Sequence, residues 1–543
     1  MPATTESAEQ PRALALDALR GLAILMMCLS GVVPEGLPNW MYHGYYPRFM
    51  PDADGVWQKV ADPHTFRAGW SSFTWTDWVF PMFLFAMGAA FPLALGRRLD
   101  KGASVWRVAL AVLGRGIALM AFAVYVQQVT PGTIERPTSA WAWCMGLVGF
   151  ALLFPVYTRL PRAWGRGRVL AVRSVGIAAA IAFVVHLNTG DGETFSFAEY
   201  NIILLLLAHM SIVGSLIWLV TRKRYCLRLG FLGIVYLAHH KAMHGGSMAW
   251  LDPVVNLPGK LLDLRWLKDY LPGDIPAGLL DLSVLYNFTW YKFLFVVIPG
   301  TIIGDLLRQA MRRDADGLDT PAWSVHRQIG LCVCMLGLIA CVLVGLQCHG
   351  LVLFSAGSDF DFVTPWATWL GVLPLLLLGW LLVRGAGTPM ERLIRSLYCW
   401  GAPWLLLGLL AEPFEGGITK GPPSTISYYF VALGLSILLL AAFTIWIDAL
   451  GRRRSLSLLV LNGQNPMLAY VGIRNLLAPL VMLPLLAPLV GVVPGIDSGS
   501  INGWAVGLLG HSPWTLLIWS VTQTLLLAIV VAVFTRRRVV WRT

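Results

Sequence analysis

A chain of 543 residues in which 57% are hydrophobic and only 13% are charged has too little polar surface to coat a water-soluble globule. Its net charge of +12 lies in short clusters between long apolar runs, and no loop interleaves basic and aromatic residues as an RNA-binding surface does. Soluble and nucleic-acid-binding classes are therefore excluded. Stretches such as 202–207 and 373–378 show no period of two, which also excludes a transmembrane barrel.

In chain order, residues 1–12 form a polar tail without a basic leader region or a small-residue cleavage site, so the first apolar run is expected to be a retained anchor. Apolar segments follow near 14–33, 77–96, 108–126, 140–157, 174–187, 201–220, 229–243, 289–306, 328–347, 366–383, 396–411, 426–448, 457–493 and 514–534. The expected fold is all-α, a polytopic integral membrane helical bundle of about 12–14 spans, with 13–543 as one transmembrane domain. Segment 457–493 exceeds one span and contains Pro466, Pro479, Pro484 and Pro488, so it reads as a kinked span with a re-entrant piece. The long connecting loops are 34–76 and 244–288, both rich in aromatic and acidic residues. With both termini in the cytoplasm, cytoplasmic segments hold 28 of the 41 Lys and Arg residues and the opposite face holds 9, the bias that the positive-inside rule requires.

The eight cysteines are scattered and form no C-x-x-C pair, so neither a disulfide framework nor structural zinc is expected. His240 and His244 stand four residues apart, but no carboxylate completes an H-E-x-x-H pattern and Lys241 would repel a cation, so no metal is expected.

Charges within spans are costly, so they are paired or functional. Asp17 and Arg20, three residues apart, share a helix face and can pair, or Arg20 can hold an anionic ligand. Arg115 stands between Gly114 and Gly116, which leave room for a bulky group such as a phosphate. Asp77 can cap the helix that it opens or orient a histidine of the preceding loop. That loop holds His43, after Trp40-Met41-Tyr42, and His64, before Thr65-Phe66.

Three stretches carry a family likeness: Leu16-Asp17-Ala18-Leu19-Arg20-Gly21-Leu22-Ala23-Ile24, the run from Phe73 to Gly88 with Asp77 ahead of Val79-Phe80-Pro81, and Leu461-Asn462-Gly463-Gln464-Asn465-Pro466. Phe295 to Asp305, Glu415-Gly416-Gly417-Ile418 and Ser427-Tyr428-Tyr429-Phe430 extend it along nearly the whole chain. Together they resemble the heparan-α-glucosaminide N-acetyltransferase-like family of multispan acyltransferases, in its bacterial branch. The resemblance implies acetyl transfer from cytoplasmic acetyl-CoA to an amine or hydroxyl of a sugar or glycan across the membrane, with a catalytic histidine between the first two helices. His43 and His64 both answer to that placement, His43 relative to the first helix and His64 relative to the second. An asparagine that the eukaryotic member carries at the outer end of its first helix falls here near Ser30 or Gly31, with Asn39 as a substitute.

The expected arrangement places the CoA phosphates on Arg20, Arg97, Arg98 and Arg115 at the basic face. His43 or His64 serves as general base or transient acetyl carrier, with Asp77 orienting the imidazole. Gln464 and Asn465, at a proline-broken helix, are placed to hydrogen-bond the thioester or the pantetheine amides. The expected location is a bacterial inner membrane, and a homo-oligomer is compatible with the sequence. The competing class is a membrane transporter or flippase of a small metabolite or lipid-linked sugar, which intramembrane Arg and Asp residues also suit.

Overall fold

The computed structural model describes residues 13–44, 49–51, 57–59, 73–161, 163–187, 195–244, 252–270, 280–313, 323–353, 366–415, 417–421, 424–490 and 498–541. The chain is an all-α polytopic bundle. Helix α1 covers Leu14–Ser30, and a two-stranded antiparallel ribbon, β1 (Phe49–Pro51) and β2 (Trp57–Lys59), interrupts the loop before α2 (Trp75–Asp100). Next come α3 (Val105–Gln128), α4 (Pro131–Ile134), α5 (Ala140–Ala151), α6 (Leu153–Tyr157), α7 (Arg166–His186), α8 (Ile202–Thr221), α9 (Tyr225–His244) and α10 (Asp252–Leu262). The second half holds α11 (Leu294–Arg313), α12 (Val325–Leu353), α13 (Trp366–Leu382), α14 (Pro389–Glu415) and α15 (Ile426–Thr444). It ends with α16 (Ser457–Gln464), α17 (Pro466–Gly472), α18 (Ala478–Met482), α19 (Ile501–Leu509) and α20 (Pro513–Arg536).

Among the described residues, ten helical segments are long and apolar enough to cross a membrane, and three shorter apolar ones lie at Tyr225–Leu237, Thr368–Leu382 and Pro466–Met482. The polar exteriors expected of soluble helices are missing: Leu110, Ile117, Leu170, Val175, Leu370 and Leu508 are all exposed. A membrane supplies the apolar partner that such surfaces need.

Within the bundle α1, α2, α11 and α15 are the buried elements, and small residues let their backbones approach. Gly88 of α2 faces Val297 of α11 so closely that a Cβ there would lie 2.4 Å from the Val297 carbonyl oxygen, and one on Gly304 would lie 2.2 Å from that of Ala89. Helices α1 and α16 cross at Gly21 and Gly463, where added Cβ atoms would fall 1.9 Å from the Leu459 carbonyl oxygen and 1.8 Å from that of Asp17. Such crossings fix α1 against α2 and against the proline-broken segment, and so position the groups described below. Segment 457–482 is broken at Pro466, with α16 ending at Gln464 and Pro466 opening α17, and continues helical past Pro479 through a π turn at Ile473–Leu477.

Two further polar anchors fix the bundle. Arg228, fully buried, donates to Asp305 at 2.7 Å and to Thr301 Oγ1 at 3.2 Å, while the Trp218 indole donates to the same carboxylate at 3.2 Å. Asp100, where α2 ends, accepts from Arg308 and Arg312 of α11. The end of the bundle at which α2 stops is called the lower end here, and the end at which it starts the upper.

Candidate active site

The upper end is built by the loop that enters α2. Tyr42 is buried, its hydroxyl donates to the Pro34 carbonyl at 2.6 Å and accepts from Leu37 N at 3.1 Å, and its own carbonyl accepts from Thr74 Oγ1 at 2.7 Å. These bonds pin residues 34–42 against the first turn of α2. They bring His43 to Asp77, with Nδ1 and Oδ1 2.8 Å apart. The other carboxylate oxygen accepts from Gly44 N at 2.9 Å and from Thr74 N at 3.2 Å. Asp77 thus caps α2 and orients the histidine at once, the two roles that its sequence position left open.

An ionised carboxylate only accepts, so in the neutral imidazole this geometry favours the tautomer with its proton on Nδ1 and its lone pair on Nε2. Asp77 is 1% exposed and the His43 side chain 46%: the carboxylate is sealed and the imidazole is open. The Tyr428 hydroxyl donates to the Asp77 carbonyl at 2.8 Å and ties the site to α15. Lys420 brings its Nζ to 3.5 Å from His43 Nδ1. Burial draws the Lys420 ammonium below the ordinary lysine range, against the opposing pull of the Asp77 carboxylate. The loop that carries Lys420 is fixed by Glu415, which accepts from Ile426 N at 3.1 Å and Ser427 N at 2.8 Å at the start of α15. Beside it Lys292 donates to Ser424 Oγ at 2.9 Å.

Below this pair lies a cleft of about 490 Å³ between α1, α2, α3, α8, α16 and α17. Along α2 its wall runs from Phe83 to Leu95, roughly 18 Å of helix, and Phe83 is roughly 9 Å along the axis from Asp77. The wall is mostly apolar, with Arg20, Arg115, Ser211, Ser215, Gln464 and Tyr470 as polar members. Arg20 donates to Asp17 Oδ1 at 3.3 Å and to the Gly463 carbonyl at 3.2 Å, and Gln464 Nε2 reaches Asp17 Oδ2 at 3.5 Å. The structure therefore brings Arg20, Arg115 and Gln464 to one cavity.

Other expected residues are placed elsewhere. Arg97 and Arg98 are in the last turn of α2 and outside the cleft wall. Asn465 is fully buried and holds the C-terminal segment: its Nδ2 donates to the Val539 carbonyl at 2.9 Å and its Oδ1 accepts from Trp541 N at 3.1 Å. Both ends of its amide are thereby engaged with the backbone. Gly114 does open onto free space, but Gly116 packs on α8, where an added Cβ would lie 2.2 Å from Ile212. Only one of the two glycines beside Arg115 therefore leaves room. Ser30 donates to the Met27 carbonyl at 2.8 Å, within its own helix. His64 and the side chains of Asn39, His240 and His244 lie outside the described residues. Among the described residues no group of three or more His, Cys, Asp or Glu gathers as metal ligands.

The sequence did not single out Lys420 or Arg228, and Tyr428 stands in it only within a stretch of the family likeness, with no role of its own. Lys420 enters the sequence as one more basic loop residue, and Arg228 as one more charge near a helix start. Their partners, Asp77 and Asp305, lie far away along the chain.

Residues 12–258 match the family described as Domain of unknown function (DUF5009). That stretch contains Arg20, His43, Asp77 and Arg115, and stops short of Lys420, Gln464 and Trp541. No curated protein matches the chain.

Proposed function

We propose that this chain is a transmembrane acetyltransferase that takes an acetyl group from acetyl-CoA at the lower, basic end and delivers it at the upper end to an amine or hydroxyl of a sugar or glycan. In this reading the membrane is a bacterial inner membrane and the lower end, with both termini, faces the cytoplasm. The observation that carries the reading is the His43–Asp77 pair above a cleft whose polar members include Arg20, Arg115 and Gln464. The cleft suits a long donor with an anionic head and an amide-bearing arm, because arginines match phosphate geometry and the apolar wall suits an alkyl chain.

The chemistry follows from the tautomer. As base, His43 Nε2 takes the proton of the acceptor amine or hydroxyl while the acceptor attacks the thioester carbonyl; the CoA thiolate leaves and takes that proton back from the imidazolium. As carrier, Nε2 attacks first, the CoA thiolate leaves and an Nε2-acetyl-imidazolium forms; the acceptor then attacks the acetyl carbonyl, the neutral imidazole leaves, and the acceptor's proton passes to the thiolate to give CoA. In both routes Asp77 holds the ring and offsets its developing positive charge. The test is thermal stabilisation of the detergent-purified protein. Acetyl-CoA and CoA raise the apparent Tm and ATP does not; no shift at millimolar acetyl-CoA in a folded preparation removes the reading and favours a carrier.

A further inference from the structure

Two lysines from distant parts of the chain meet beside His43. Lys292 stands in the turn Phe288–Phe293 that leads into α11, and Lys420 in the loop between α14 and α15. That loop is closed on itself: Thr419 N donates to Thr425 Oγ1 at 3.0 Å and Thr425 N to the Thr419 carbonyl at 3.0 Å. The closure presents Lys420 to His43 and Ser424 to Lys292. Ser424 Oγ also accepts from the Tyr429 hydroxyl at 3.2 Å. The two ammonium groups are close enough to repel one another.

The charges gathered there do not balance. Among the described residues neither ammonium has a carboxylate within ion-pairing distance, and Ser424 gives Lys292 a hydroxyl but no charge. The carboxylate whose field reaches Lys420 is that of Asp77, and it spends Oδ1 on His43 and Oδ2 on Gly44 N and Thr74 N. Glu415, the acid at the start of the same loop, is turned to Ile426 N, Ser427 N and Ser427 Oγ. Two like charges held together in a partly desolvated setting cost free energy that an anion between them offsets. Both lysines are only part-buried and His43 is open, so none of the three is closed to an occupant.

We infer that Lys292 and Lys420 form the anion-binding part of the acceptor site, so that the acceptor is an acidic sugar bearing a phosphate, sulfate or carboxylate near the amine or hydroxyl that is acetylated. The inference rests on the acetyl-transfer reading and adds to it the charge of the acceptor. Lys420 stands on the Nδ1 side of the imidazole, 3.5 Å away, whereas the reacting nitrogen in that reading is Nε2. An anion on the lysines therefore flanks the ring without taking the place where the acetyl group passes. An ammonium is a compact point charge, so it takes any of the three oxyanions without the fork geometry that a guanidinium imposes. The donor's phosphates go to the arginines of the cleft in this reading, so the two anions do not compete.

The experiment uses the full chain in detergent, with glucosamine, glucosamine 6-phosphate, glucosamine 6-sulfate and inorganic phosphate as probes. Thermal stabilisation reads binding without acetyl-CoA, and transfer kinetics with acetyl-CoA read the use of each sugar. The expected result is stabilisation by the two acidic sugars at concentrations at least about tenfold lower than for glucosamine, and KM values in the same ratio. In Lys292→Gln and in Lys420→Gln that ratio should fall towards one, and in Lys292→Arg, which keeps the charge, it should be largely retained. Equal KM values for acidic and neutral sugars in the unaltered chain overturn the inference and leave the acetyl-transfer reading in place. A ratio that survives both glutamine variants also overturns it. Inorganic phosphate that stabilises as well as the sugar phosphate shows a free-anion site and overturns the assignment to the acceptor. Binding of the acidic sugars, lost in the glutamine variants, without transfer from acetyl-CoA supports the anion site and overturns the acetyl-transfer reading. Should Lys292→Gln not be recovered folded, Lys420→Gln and Lys292→Arg carry the same comparison.

Discussion

At the scale of single residues, His43 matters because of what fixes it. Its Nδ1 meets a carboxylate that is itself held by Gly44 N and Thr74 N, so rotation of the imidazole would break a contact made by a rigid group. Asp77→Asn keeps the volume and one acceptor but removes the charge that favours the Nδ1 tautomer. It should lower acetyl transfer by about 10²- to 10⁴-fold with acetyl-CoA binding unchanged, as read by initial rates and by thermal shift. Lys420 gives a pH signature. Its folded-state affinity for a proton is lowered from the ordinary 10.5, so the folded protein binds fewer protons than the unfolded chain between the lowered value and 10.5, and stability rises with pH across that window. Comparing the apparent Tm of the unaltered chain and Lys420→Met from pH 8 upward checks this: the difference should move in favour of the unaltered chain as pH rises. A pH-independent difference would show that Lys420 is not desolvated as described.

At the scale of elements, the site depends on helix crossings that leave no room for a methyl group. Gly21→Ala would put a Cβ against the Leu459 carbonyl, where backbone rather than a flexible side chain must give way. Overpacking of this kind costs about 1–3 kcal/mol, so the variant should melt at a lower temperature and bind acetyl-CoA more weakly, since Arg20 and Gln464 flank the same crossing. Equal stability and affinity in Gly21→Ala would mean that α1 and α16 are free to separate. The crossing was half legible in the sequence. Gly21 and Gly463 both stand in the stretches that carry the family likeness, and the break at Pro466 follows from proline's missing N–H. That the two glycines face each other depends on packing between opposite ends of the chain, and that Asn465 turns away to hold Val539 depends on a contact 74 residues further on.

At the scale of the whole molecule, helical class and membrane setting were legible because an apolar run of about 20 residues has few other stable outcomes. Every predicted apolar segment carries helix, with the break in 457–493 falling at Pro466. The buried pair of Arg228 and Asp305 was not legible, because Arg228 reads as a basic residue at a helix start until α9 packs on α11. Removing one partner of a buried pair leaves an uncompensated charge and costs about 3–5 kcal/mol. Arg228→Met should therefore destabilise the protein strongly, and the double change Arg228→Met with Asp305→Leu should recover most of the loss. Thermal unfolding of the three proteins reads this directly, and a double variant no better than the single one would contradict it. The pair lies away from the His43–Asp77 site, so the double variant is also expected to retain acetyl transfer.

The measurement that tests the central claim most directly is transfer of labelled acetyl from acetyl-CoA to a panel of amino sugars by purified protein in liposomes, for the unaltered chain and His43→Gln. The account predicts an acetylated sugar on the His43 side of the membrane when acetyl-CoA is supplied on the Arg20 side. His43→Gln should lose that activity by at least about 100-fold while remaining stabilised by acetyl-CoA. Transfer at the same rate by His43→Gln, or product only when donor and acceptor share the Arg20 side, would contradict it.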